Sequence, residues 1–146
     1  MSAYIDFQFD KTSHFNPLSI IDSLLELGWS YDEGHISYLP LGDNDLFDWQ
    51  WEEISHWPKI REIITQQCAN KERIGICLVW PNSPTGTQFL FETEESQLLV
   101  NLTGRKRIKG IERATDFTWY LEKLLPPLEQ VNIPQILEIN CSELRY

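Results

Sequence analysis

The chain has no Lys or Arg between Lys11 and Lys59. Cysteine is nearly as sparse: Cys68, Cys77 and Cys141 are an odd number with no C-x-x-C spacing, which excludes a disulfide framework and a cysteine-built zinc site. Each sits among apolar residues and is expected as a buried, reduced thiol in a reducing compartment. No apolar run approaches the ~20 residues that a membrane span requires. The start, MSAYIDFQFD, lacks the basic region and long apolar stretch of a signal peptide, so the expected location is cytoplasmic. With 146 residues and 42% hydrophobic content, one domain with its own core is expected over 1–146.

Catalytic and metal motifs are missing too. None of His14, His35 and His56 lies in a nucleophile motif such as G-x-S-x-G, and no phosphate-cradling glycine loop occurs. Asp43 to Asp48, DNDLFD, resembles the opening of a calcium loop but fails as one. Its fifth position is Phe47, its sixth Asp48 instead of Gly, and its twelfth Ile54 instead of Glu. Arg105, Lys106, Arg107, Lys109 and Arg113 form the one basic cluster. It carries no interleaved aromatic for stacking on bases and reads as a solvated edge strand or turn. No catalytic residue, metal ligand or cofactor is therefore assigned, and the expectation is that the chain is not an enzyme.

What is present is acid, unevenly spread. Residues 1–60 hold eleven acids and two bases, a charge of −9, while residues 61–146 hold eleven acids and ten bases, a charge of −1. A field of this sign repels nucleic acid and anionic membrane and attracts basic proteins. Hydrophobic periodicity supplies the elements. Tyr4 to Phe9 alternates as a half-buried strand, and Asn16–Pro17 starts a helix that Gly28 ends. His35 to Leu39 reads as a short strand, and a helix runs from near Ser55–Pro58 to about Gln67, closed by Asn70. Arg73 to Trp80 reads as a central strand, and Thr87 to Thr93 with Gln97 to Thr103 as a hairpin. Thr115 or Asp116 caps a third helix that Pro126–Pro127 kinks or ends, and Gln135 to Leu144 alternates as a last strand. The predicted class is α+β: a largely antiparallel sheet of five to six strands with about three helices packed against it.

The acid is densest in Asp43 to Glu53, DNDLFDWQWEE, and this segment shares the base-free stretch with four of the six tryptophans. One reading has Phe47, Trp49, Trp51 and Trp57 pinning an irregular loop to the sheet. The other makes partly exposed rings the anchors of an interface, ringed by steering carboxylates. The candidate partner-binding residues are Asp32, Glu33, Asp43, Asp45, Asp48, Trp49, Trp51, Glu52 and Glu53. If Trp49 and Trp51 lie on a strand they share a face; on a helix they diverge. In size, acidity and this segment the chain resembles the immunity proteins of bacterial toxin systems. The resemblance implies neutralisation of a cognate basic protein toxin, such as a nuclease, by direct binding. The alternative from another class is a small-ligand-binding or regulatory domain, with a pocket near Trp80, Phe89, Phe91 and Trp119.

Overall fold

The computed structural model describes residues 2–11, 15–83 and 85–145. Ser2–Phe9 is strand β1, burying Ala3, Ile5, Phe7 and Phe9 while Tyr4, Asp6 and Gln8 occupy the opposite side. Helix α1 (Pro17–Glu26), β2 (His35–Tyr38), β3 (Gln50–Glu53) and α2 (Trp57–Ala69) follow. Then come β4 (Ile74–Val79), β5 (Gly86–Glu92), β6 (Gln97–Leu102), β7 (Arg107–Ile108), β8 (Ile111–Thr115), α3 (Phe117–Leu128) and β9 (Ile136–Leu144). Seven strands pair antiparallel in the order β3-β2-β4-β5-β6-β1-β9, and β7–β8 is a separate hairpin. The class is α+β with three helices, as the periodicities predict, and the main sheet has one strand more than the upper expectation.

The extra strand is β3. Its sequence, QWEE, is four residues with adjacent acids, which carries no strand signal of its own; pairing with β2 supplies it. The helix on which Trp49 and Trp51 would diverge does not form. The basic segment is likewise not an edge of the main sheet but the projecting β7–β8 hairpin.

Ile20, Ile21 and Leu24 of α1, Ile60 and Ile64 of α2, and Tyr120, Leu124 and Leu128 of α3 share one buried cluster with the inward face of the sheet. The helix starts follow the expected chemistry. Asn16 Oδ1 accepts from the Leu18 N–H at 3.0 Å, and Asp116 Oδ1 accepts from the Trp119 N–H at 3.1 Å, each satisfying an orphan donor. Pro126 and Pro127, expected to kink or end α3, sit inside its last turn. A proline at 127 removes the amide that would bond the carbonyl four residues back, Lys123. The Trp29 indole N–H takes that carbonyl instead, at 3.0 Å. Trp29 is fully buried, edge-on to Trp80 and Phe89 with centroids 5.6 and 5.5 Å away. Gly28, at φ +120°, lets α1 end directly against Trp80, whose ring would lie 2.5 Å from any Cβ there.

The thiols divide. Cys68 and Cys77 are half-buried, and burial pushes the Cys77 thiol up to about 12. Cys141, expected to be buried, lies exposed on β9, the terminal strand of the sheet.

Candidate docking edge

All nine candidate residues fall on the β2–β3 hairpin and the turn that leads into it, along one edge of the sheet. Asp32 and Glu33 form the turn before β2, with Glu33 and Gly34 at φ +47° and +83°. The 39–49 loop closes the hairpin at its other end, and β3 is the terminal strand between them. In the register Ser37↔Trp51 and Ile36↔Glu52, buried Ile36 and Tyr38 stand opposite Glu52 and Gln50. Trp51 and Glu53 therefore face away from the helices.

The loop is built around Asp43, whose side chain is turned inward, leaving the residue 9% exposed. Its Oδ2 accepts from the Phe47 N–H and its Oδ1 from the Asp48 N–H, both at 2.9 Å. Asn44, Asp45 and Phe47 hold left-handed backbone at φ +48°, +62° and +53°. Such conformations cost on the order of 1 kcal/mol or more each and persist where other bonds over-determine them. Arg73 supplies further ties. Its Nη1 donates to Asp45 Oδ1 at 2.6 Å, its Nε donates to Glu92, and its guanidinium lies 4.8 Å from the Phe47 ring centroid. Glu72 Oε1 accepts from the Gly42 N–H at 2.7 Å. The result is a stiff turn that holds Leu46 out, 78% exposed.

The candidates thus separate by role. Asp43 is structural and not available to a partner, because both its carboxylate oxygens bond backbone amides. Asp45 already has a cation in Arg73. Trp49 is half-buried, its ring packed with Leu39 over Gly75, where a Cβ would come within 2.9 Å of Trp49 and 2.7 Å of Leu39. Glu52 turns toward the helices and holds His56 Nδ1 at 2.5 Å and Lys59 Nζ at 2.7 Å, which keeps its carboxyl below the usual range. Asp32, Glu33, Asp48 and Glu53 are exposed, and their carboxylates make no hydrogen bond or ion pair among the described residues. Trp51 is 64% exposed, its ring edge-on to His35 with centroids 4.7 Å apart. A solvent-facing indole is therefore flanked by uncompensated carboxylates and, on the loop, by Leu46.

Leu46, His35 and Arg73 are the residues that sequence reasoning missed. Leu46 sits with Phe47 inside the acidic run, and an aliphatic residue among those carboxylates was the available signal. His35 and Arg73 belong to the site through pairing and loop closure, which leave no local mark in the sequence.

The rings that define the alternative ligand pocket are engaged elsewhere. Phe89 and Phe91 are fully buried, Trp80 packs on Trp29, and the Lys123 ammonium lies 5.2 and 4.6 Å from the Trp80 and Trp119 rings. An open cleft of about 980 Å³ lies by Phe15, Thr65, Cys68 and Thr93, and none of those four rings lines it. Among the described residues no three His, Cys, Asp or Glu side chains cluster as metal ligands, and no helix is long and apolar enough to cross a membrane. His14 lies outside the described residues. Searches of family models, curated proteins and solved structures returned no match to this chain.

Proposed function

We infer that this chain is an immunity- or inhibitor-type binding protein that neutralises a basic protein, a toxin such as a nuclease, through the β3 edge. The observation that carries the reading is Trp51: a large indole left mostly in water, on a terminal strand, among carboxylates that the fold does not neutralise. Exposed aromatics are costly to leave wet and dominate interface energetics when they are covered. Trp51 and Leu46 supply the buried contact, while Asp32, Glu33, Asp48 and Glu53 pair with the lysines and arginines that the partner uses on its own substrate. Blocking is steric and electrostatic, and needs neither cofactor nor catalysis by this chain. The stiff 43–48 loop limits the ordering cost of docking.

The test is association kinetics with the basic product of a neighbouring open reading frame. Steering by exposed carboxylates predicts a rate that falls steeply as salt rises, within the roughly 10- to 1000-fold range that such fields supply. An association rate indifferent to salt contradicts the electrostatic half of the reading.

A further inference from the structure

The opposite edge of the sheet is a different kind of surface. β9 is the last strand in the order, and β1 takes its inner side along its whole length. Among the described residues no strand pairs with the outer side of this nine-residue strand, and Leu137, Ile139 and Leu144 are exposed along it. Proteins ordinarily blunt such an edge with lysine, proline or a cover. β9 contains no Lys, Arg or Pro, and the nearby β7–β8 hairpin bonds in ladder fashion only to itself. The hairpin base does meet β9, but through a side chain: Glu143 accepts from Arg105 at 2.6 Å and from the Thr115 N–H at 2.9 Å. β3, in contrast, offers a ladder of only four residues.

The geometry points to β9 as a homodimer edge: two copies pair β9 to β9 antiparallel about a two-fold axis, continuing one sheet into the next. The charge distribution favours a second copy as the occupant. Of the two glutamates on β9, Glu143 is already paired with Arg105, and the acid-rich β3 edges lie farthest from the junction. The β1–β9 register breaks at Gln8/Phe9, opposite Glu138 and Ile136, so the regular ladder is Glu138 to Leu144. Full overlap of that stretch with itself centres on Cys141. Glu138 then faces Leu144 of the second copy, Ile139 faces Glu143, and Asn140 faces Ser142. No like charges meet, as antiparallel cross-strand pairing requires. Cys141 faces its own counterpart. Directly opposed antiparallel residues have Cα atoms about 4.5–5.5 Å apart, inside the range a disulfide spans.

This assignment is independent of the docking reading at β3, and its test uses the free protein. Sedimentation of the full chain should show a monomer–dimer equilibrium that Cys141→Ser preserves. Because a two-fold places position 141 against itself, Cys141→Lys and Cys141→Glu should each weaken the dimer up to about fivefold, whichever the sign of the charge. Mixing the two variants should restore it, which also shows that both are folded. Air oxidation with a copper catalyst should link wild-type chains, and Cys141→Ser should abolish the link. A wild type that stays monomeric overturns the proposal. So does a dimer that both charged variants leave intact, or a mixture that fails to recover together with a wild type that fails to cross-link.

Discussion

The two edges of this sheet are finished in opposite ways. At β3 the strand is short and acidic, and the preceding loop is clamped by Asp43 and Arg73 so that Leu46 and Trp51 stand out beside free carboxylates. At β9 the strand is long, one of its two glutamates is already paired with Arg105, and among the described residues no strand pairs with its outer side. Each arrangement suits a different neighbour. In the proposed function, side chains carry recognition at β3, where a foreign basic surface would gain from aromatic burial and charge. In the proposed dimer, backbone carries it at β9, where an identical strand would extend the sheet. The short, acid-flanked β3 also discourages two copies from meeting there.

The comparison is broken most severely at Asp43. Replacing it with Ala removes a buried carboxylate that accepts two backbone amides and releases three left-handed residues. A loss of about 3 kcal/mol in urea unfolding is expected, since hydrogen bonds to a charged group contribute roughly 1.5–3 kcal/mol each. A change under about 0.5 kcal/mol would mean that Arg73 alone holds the loop. Trp51→Ala sharpens the comparison from the other side. It should cost about 2 kcal/mol of affinity for the basic partner, while stability stays within about 0.5 kcal/mol because the ring is already mostly in water. Equal losses in both measurements would make Trp51 a folding residue.

The smallest effect is a pH dependence at the β9 end. Hydrogen bonds from Thr115, then Arg145, hold the Glu143 carboxyl below the ordinary carboxylate range. A depressed folded-state pKa contributes stability above the unfolded value of about 4.3 and loses it as pH falls through the folded value. Wild type should therefore be more stable than Glu143→Gln near neutrality, and the gap should close as the solution is acidified below that range. A gap that stays constant from neutral to acid would assign the effect to shape instead of charge.

Much of the fold was legible because local pattern and tertiary structure agree. The alternation of β1, the Asn16–Pro17 start and the β5–β6 hairpin are each written within a few residues. The misses are places where a distant group decides. α3 continues through Pro126–Pro127 because an indole nearly a hundred residues earlier takes the carbonyl that proline strands. β3 exists because β2 offers a partner. At the site, the acid–aromatic composition marked the segment but not the fate of each side chain. Asp43 and Asp48 look alike in sequence, yet the loop's left-handed residues turn one inward and leave the other free. Trp49 and Trp51 do lie on one side of the sheet, but the bare backbone at Gly75 seats only the first.

The central claim, that β3 is the docking edge, is met most directly by quantitative capture of partners from the native lysate. Wild type, Asp48→Lys/Glu53→Lys and Cys141→Ser would be compared as baits and the retained proteins weighed by mass spectrometry. The account predicts a basic protein retained by wild type and Cys141→Ser and lost from the double variant. Equal retention of that protein by all three baits would contradict it.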